Sequence, residues 1–241
     1  PNIALLPALQ AAGYEIAYVG SYEGIEKKLI ADFNIPYTGI STGKFRRYLD
    51  PKNFSDPFRV MKGFVEARNY LKNYQPDVVF SKGGFVSVPV VRAAASLHIP
   101  CIIHESDMTP GLANKLCIPV AEKVCCNFPE TMKNIPADKA VLTGSPIRAE
   151  LAQGSRLAGL NMCGFTANKP VIMVIGGSLG AANVNKAVRD ALPKLLEDFQ
   201  VVHLCGKDKI DNLLLNTPGY KQFEYIKAEL KDIFAMADVV I

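Results

Sequence analysis

Apolar residues along this chain arrive in short blocks that alternate between two rhythms. Val171 to Ile175 is an unbroken apolar and largely β-branched run, the pattern of a strand buried on both faces of a parallel sheet. Gly176 and Gly177 then remove side chains where the chain must turn, and helical spacing resumes from Ala181 to Val188. The same strand-then-helix alternation extends in both directions. It predicts strands over 15–19, 36–40, 77–80, 101–104, 123–126, 140–142, 201–204, 223–226 and 238–241. It predicts helices over 24–31, 57–74, 89–97, 111–116, 181–195, 207–215 and 230–236, the 57–74 helix opening on Asp56 as N-cap and Pro57 at its first position. Residues 1–9 also read as helix.

The rhythm breaks at 145–169, a stretch punctuated by Gly154, Gly159 and Gly164. The expected architecture is therefore α/β, with two Rossmann-like doubly wound parallel-sheet domains facing a cleft. The first domain is expected over 1–144, a linker over 145–169, and the second domain over 170–241. The crevice between the two is the expected ligand site. A chain that opens on a helix and stops in a strand reads as a fragment, with at least one element beyond each end and the second domain incomplete.

Composition narrows the class without fixing the chemistry. The 241 residues are 49% apolar and 21% charged, as in soluble globular proteins. A formal charge of +4 suits an anionic ligand or membrane surface and does not call for nucleic acid. No apolar run approaches the roughly 18 residues needed to cross a bilayer. The six cysteines form no Cys-x-x-Cys pair and mostly sit in apolar stretches, so they read as reduced core residues. The neighbours Cys125 and Cys126 would point to opposite faces of a strand. Neither an Asp-x-Asp pair nor a His/Cys cluster suggests a metal.

The turn Gly176-Gly177-Ser178-Leu179-Gly180 joins a strand to a helix. Free N–H groups and the helix dipole gather there, which suits a phosphate or diphosphate. A tight turn that binds nothing fits the same residues. Gly83 and Gly84 repeat this logic in the first half, with Lys82 adding a positive charge. Arg148 has the planar fork that grips phosphate, though an arginine in such a stretch is more often simply exposed. His104 and Glu105 end a strand at the expected ligand edge, where Glu105 suits orienting a hydroxyl or a loop and a structural role is the more frequent one for a residue such as His104.

The 57–74 helix carries two apolar stripes. Val60, Phe64, Ala67 and Leu71 suffice to dock it on a sheet. Phe58, Met61 and Val65 form a second, bordered by Arg59, Lys62 and Lys72 and preceded by Arg46, Arg47, Tyr48 and Phe54. That second stripe suits either a wider core contact or a peripheral membrane patch on anionic lipid.

Five ordered motifs draw these features together. They are Ser81-Lys82-Gly83-Gly84-Phe85-Val86-Ser87-Val88-Pro89, His104-Glu105-Ser106-Asp107, Pro110-Gly111-Leu112-Ala113-Asn114-Lys115, Thr143-Gly144-Ser145-Pro146-Ile147-Arg148 and Gly176-Gly177-Ser178-Leu179-Gly180-Ala181. In this order and spacing the set resembles the MurG family of bacterial cell-wall glycosyltransferases over essentially the whole chain. The resemblance implies a GT-B fold and transfer of N-acetylglucosamine from UDP-N-acetylglucosamine to a lipid-linked muramoyl-pentapeptide (lipid I), giving lipid II. It further implies an inverting, metal-independent displacement with no cofactor.

On the donor side the resemblance implies contacts from Arg148, Gly176, Gly177, Ser178 and Gly180, and backbone near Ile226 against the uracil. Asp107 falls where many members carry an asparagine; an ionised aspartate accepts but does not donate, so that donor contact would differ. On the acceptor side it implies Gly83 and Gly84 against the diphosphate, with Ser87, His104 and Glu105. The proposed catalytic base would precede Pro1 and an acidic ribose ligand would follow Ile241, so no catalytic residue is assigned and residues 1–241 alone are expected to be inactive. The resemblance also implies a peripheral enzyme on the cytoplasmic face of the bacterial membrane. The anionic inner leaflet would be met by Phe54, Phe58, Met61, Val65, Arg46, Arg47 and Lys62, and other cell-wall synthesis proteins are allowed partners. Two rivals stand beside it: a non-catalytic, membrane-recruiting half of a split glycosyltransferase, and another GT-B enzyme such as a sugar-nucleotide epimerase or lipid galactosyltransferase.

Overall fold

The β-branched runs do what their composition demands: they pair in parallel and disappear between helices. In the computed structural model, which describes residues 2–43, 56–176 and 180–241, the chain divides into two units, Pro1–Pro146 and Ile147–Ile241. Arg46, Arg47, Phe54, Gly177 and Ser178 lie outside the described residues.

The first unit begins with helix α1 (Asn2–Ala11), strand β1 (Tyr18–Ser21), helix α2 (Ile25–Ala31) and strand β2 (Tyr37–Ile40). β1 and β2 pair in parallel as a two-stranded sheet, over a small core of Leu6, Ile30 and Ile35. There follow α3 (Asp56–Tyr74), β3 (Val79–Ser81), α4 (Ser87–Ser96), β4 (Cys101–Glu105), α5 (Leu112–Cys117), β5 (Lys123–Cys126), α6 (Pro129–Met132) and β6 (Ala140–Leu142). β3 to β6 form one parallel sheet in chain order. Its core joins Ile103, Val124 and Cys126 to Val91 and Ala94 of α4 and to Ala67 and Leu71 of α3.

α3 sits close because Gly63 has no side chain: a Cβ there would lie 2.0 Å from the Ser41 carbonyl oxygen. Glu66, one turn on, accepts from the Ser41 backbone N–H and hydroxyl. The first predicted stripe of α3 faces this contact, with Ala67 and Leu71 buried and Val60 and Phe64 half-buried.

The second unit carries α7 (Arg156–Cys163), β7 (Val171–Ile175), α8 (Ala182–Asp198), β8 (Gln200–Leu204), β9 (Tyr220–Phe223), α9 (Leu230–Met236) and β10 (Val239–Val240). The sheet order β10-β7-β8-β9 is wholly parallel. β7 is apolar throughout because both of its faces are covered. Val171 and Met173 meet α7 and α9, while Ile172 and Val174 meet Val188 and Leu192 of α8. Burying each such side chain stabilises by roughly 1.5–3 kcal/mol.

Three expectations need correction. The stretch 145–169 is no plain linker. It contains a 3-10 turn (Ala149–Ala152) and α7, which Ser155 caps by accepting from the Ala158 N–H and which Gly164 ends in the left-handed conformation. Its glycines permit close packing: a Cβ on Gly154 or Gly159 would lie 2.0 Å from the Lys231 carbonyl oxygen or 2.4 Å from that of Asp232. The helix expected over 207–215 is a loop with one 3-10 turn (Asn212–Leu214). Asp208 has φ of 57°, and the backbone N–H groups of Asp208 and Asp211 donate to Glu224 and Gln222, so side chains around β9 hold the loop. Of its leucines only Leu214 packs on the core, while Leu213 and Leu215 face water, Leu213 being 93% exposed. The strand expected over 223–226 is instead Tyr220–Phe223, and Ile226 lies in the loop beyond it. That strand hides polar residues inward, Tyr220 and Gln222, because buried partners wait for them: Tyr220 meets His203 and Gln222 accepts from Arg189.

Candidate functional site

Two sets of residues gather at the carboxyl ends of strands, one in each unit. In the first unit β3 ends at Ser81, and Gly83 and Gly84 follow with φ of 87° and 90°, angles that disfavour any residue with a Cβ. The Gly83 N–H is already taken by Ser81 Oγ at 3.1 Å, whereas the Gly84 N–H has no partner among the described residues. Gly84 is also open, with nothing within 4 Å of where a Cβ would be. Ser87, at the first turn of α4, is buried and donates to the Gly84 carbonyl at 2.6 Å. Its role is thus to shape the turn from inside.

His104 and Glu105 close β4 and are both buried. His104 Nε2 lies 2.9 Å from the Gly144 carbonyl oxygen, which only accepts, so Nε2 carries the proton and Nδ1 presents a lone pair. Lys82 Nζ fills that lone pair at 2.7 Å and also donates to Ser106 Oγ at 2.8 Å. Burial, with the Lys82 charge adding to it, lowers the His104 pKa below 6.5 and keeps the ring neutral.

Glu105 serves a different purpose. Its carboxylate accepts from the Asp107 N–H at 2.9 Å, the Gly111 N–H at 3.0 Å and Asn114 Nδ2 at 2.8 Å. Burial alone would raise its pKa, but these donors outweigh it and leave the carboxyl below its ordinary value of 4.5. The loop between β4 and α5 is therefore wrapped around one ionised group. Asp107 rides on that loop with its side chain exposed, its carbonyl accepting from Thr131 Oγ1 at 2.9 Å. Asn114 reaches beneath Gly83: a Cβ on Gly83 would lie 3.0 Å from Asn114 Oδ1.

In the second unit Gly176 and Ile226, far apart in sequence, line one pocket of about 120 Å³ together with Ile175, Leu204, Glu224, Tyr225 and Leu230. The pocket opens at the carboxyl ends of β7 and β8, where open α/β sheets take their ligands. Gly180 has φ of 64° and packs on the Cys205 carbonyl oxygen, 2.0 Å from where its Cβ would be. Its own carbonyl accepts from Lys209 Nζ at 3.0 Å. The Cys205 carbonyl accepts in turn from Asn185 Nδ2 at 2.8 Å, and Asn185 Oδ1 lies 3.0 Å from Nε2 of the fully buried His203. Burial holds His203 down to about 4, with Arg189 adding to it. The last glycine of the turn is thus seated on a buried polar chain.

Arg148 begins the 3-10 turn of the second unit, with its guanidinium 3.7 Å from Glu150; both are well exposed, and such a pair contributes little. On α3 the second stripe is solvent-facing: Phe58, Met61 and Val65 are exposed to 79%, 64% and 53%. Lys62 beside them is exposed and pairs loosely with Glu66 at 3.8 Å. The wider core contact that the stripe also allowed is not made. Among the described residues no His/Cys/Asp/Glu group is arranged to hold a metal.

Sequence reasoning read Cys205 only as a core residue, carried Ser106 and Asn114 within motifs without a role of their own, and gave none to Asn185, Glu224 or Tyr225. Their contacts span loops and strands, and no spacing along the chain signals them.

Residues 1–126 match the glycosyltransferase family 28 N-terminal domain, and residues 171–241 its C-terminal domain. A UDP-N-acetylglucosamine--N-acetylmuramyl-(pentapeptide) pyrophosphoryl-undecaprenol N-acetylglucosamine transferase from Lachnospira eligens is 64% identical over 241 residues, covering 100% of this chain and 68% of the relative. The protein of that name from Clostridium botulinum (strain Langeland) is 55% identical over the same span, again 68% of its length. Among solved structures, MurG of Acinetobacter baumannii superposes with a TM-score of 0.69 at 28% identity, covering 100% of this chain and 66% of that one. A UDP-GlcNAc 2-epimerase from Methanocaldococcus jannaschii gives 0.63 at 13% identity, covering 99% and 74%; at that identity the likeness concerns the fold alone.

Proposed function

This chain belongs to glycosyltransferase family 28, and from that premise we propose that it transfers N-acetylglucosamine from UDP-N-acetylglucosamine to undecaprenyl-diphospho-muramoylpentapeptide, forming lipid II. The observation that carries this reading is 64% identity, over every residue of the chain, to a transferase of that name. The GT-B architecture of two Rossmann-like units agrees with it.

In this reading the second unit takes the donor. The pocket's mostly apolar lining, Ile175, Leu204, Ile226 and Leu230 beside Gly176 and Tyr225, suits a flat base, and the glycine turn ahead of α8 suits the diphosphate. Gly177 and Ser178 belong to that turn, and Arg148 supplies a charge for the leaving group. Leaving-group stabilisation then comes from a helix N-terminus and an arginine, without a metal, and the displacement inverts the anomeric centre. The first unit takes the acceptor at the edge formed by Gly83, Gly84, His104 and Glu105. Asp107 lies on the Glu105-held loop, where it can accept a hydrogen bond from the sugar donor.

The experiment is calorimetric titration of the full-length protein with UDP-N-acetylglucosamine, UDP-galactose and UDP-glucose. Tighter binding of the first by at least an order of magnitude is expected; equal affinity for all three would remove the donor assignment.

We further propose that the enzyme is peripheral, docking on the anionic cytoplasmic leaflet through Phe58, Met61, Val65 and Lys62, with Arg46, Arg47 and Phe54 in the sequence just before. Three exposed apolar side chains on one helix face, bordered by cations, fit an interfacial helix. Among the described residues no helix is long and apolar enough to cross a membrane. Phe58→Asp combined with Met61→Asp is expected to weaken liposome binding about tenfold while turnover of a soluble acceptor analogue stays within about twofold. Unchanged liposome binding would refute the patch.

A further inference from the structure

We propose that Lys82 is the cationic anchor for the diphosphate of the lipid-linked acceptor, a role that rests on assigning the Gly83–Gly84 edge to that acceptor. An ammonium has three N–H donors. Two are fixed internally, on His104 Nδ1 at 2.7 Å and Ser106 Oγ at 2.8 Å, and the third is uncommitted among the described residues. Among those residues Lys82 also makes no ion pair. The nearby carboxylate, Glu105, is spent on Asp107, Gly111 and Asn114. A half-buried cation with neutral partners is costly to hold unless an anion completes it.

The neighbours are arranged to receive one. Because His104 must give its Nε2 proton to Gly144, Nδ1 can only accept, and it pins the lysine head in one place. Ser106 accepts from Lys82, which leaves its hydroxyl proton free for a ligand. The Gly84 N–H, next but one in the chain after Lys82, is likewise unused and opens on empty space. One positive charge and three unspent donors, with no acidic side chain bonded among them, match two adjacent phosphate groups. Burial lowers the lysine pKa from 10.5 while the charges of Glu105 and Cys125 act against that lowering.

The test is steady-state kinetics of the full-length protein with donor and acceptor varied separately. Lys82→Met should raise the acceptor KM about tenfold or more, with the donor KM within about twofold of wild type. Lys82→Arg should restore most of the loss. Inorganic pyrophosphate, competing with the acceptor, should weaken in parallel for Lys82→Met and not for Lys82→Arg. If Lys82→Met does not fold, Lys82→Gln keeps a donor without the charge and serves instead. A wild-type acceptor KM and pyrophosphate Ki overturn the proposal, as does a change confined to the donor KM, which would assign the lysine to the nucleotide sugar. Gly84→Val separates the two layers of the argument. If it raises the acceptor KM while Lys82→Met does not, only the lysine's role falls; if neither does, the acceptor edge falls too.

Discussion

Replacing Gly180 with alanine is expected to abolish measurable donor binding, a loss on the order of 100-fold or more in UDP-N-acetylglucosamine affinity. Two independent constraints meet at this residue. Its φ of 64° lies in the left-handed region, which costs a non-glycine residue about 1 kcal/mol. The added methyl would also lie 2.0 Å from the Cys205 carbonyl oxygen and 2.8 Å from its carbon. Neither atom can yield, because Asn185 holds that carbonyl and Asn185 is itself tied to His203. The turn must therefore lift away from the end of β8, carrying the Lys209-bound carbonyl with it. Calorimetry with UDP checks this directly. Gly219→Ala is the control: its φ of 77° imposes similar strain, but its nearest neighbour would be 3.5 Å away, and it lies ahead of β9, away from the glycine turn. It should cost about 1 kcal/mol of stability and leave donor affinity intact. Wild-type UDP affinity in Gly180→Ala would mean the turn does not touch the diphosphate.

The second large effect is expected at Glu105. Alanine there strands three donors, the N–H groups of Asp107 and Gly111 and the Asn114 amide, in a site where the carboxylate was 5% exposed. Unsatisfied buried donors cost about 1–3 kcal/mol each, and partial hydration of the loop will recover some of it. A net loss of about 3 kcal/mol is expected, seen as a fall of roughly 6–12 °C in Tm. Acceptor turnover should fall about 100-fold, since the loop it orders carries Ser106 and Asp107, while UDP affinity in the second unit stays unchanged. Glu105→Gln should fall between: its oxygen satisfies part of the set, but its NH2 confronts the remaining donors. The sign of the pH effect follows from the lowered pKa. Stabilisation by Glu105 is complete above its unfolded value of 4.5 and is lost as pH falls through the lower folded value. The Tm difference between wild type and Glu105→Ala should accordingly be constant from pH 6 to 8 (roughly the neutral range) and shrink in acid. A Tm unchanged by Glu105→Ala would show that the loop does not depend on this carboxylate.

How much of this was readable beforehand varies with the kind of interaction. Apolar periodicity found β5, β6, β7 and α9 at their observed bounds, since burial on a sheet is written directly into residue type. The same rule failed at β9, where the inward positions are Tyr220 and Gln222, and at 207–215, where Leu213 and Leu215 face water. It also missed α7, because Gly154 and Gly159 are there for close contact with α9 and Gly164 for ending the helix, not for flexibility. At the site, motif order brought Gly83, Gly84, His104 and Glu105 to one edge and Gly176 and Ile226 to one pocket. What each does was not legible. The occupied N–H of Gly83 and the inward hydroxyl of Ser87 depend on the fold of the turn itself, and the locked tautomer of His104 on a partner forty residues away.

Alternate residues of β7 feed two different cores, Val171 and Met173 on one side and Ile172 and Val174 on the other. The helical layers above and below that sheet therefore have no side chains in common, and only the strand's backbone connects them. A change of volume in α8 need not be answered in α7 or α9. The two layers of the second unit are free to drift in sequence separately, provided the plane between them keeps its alternating sizes.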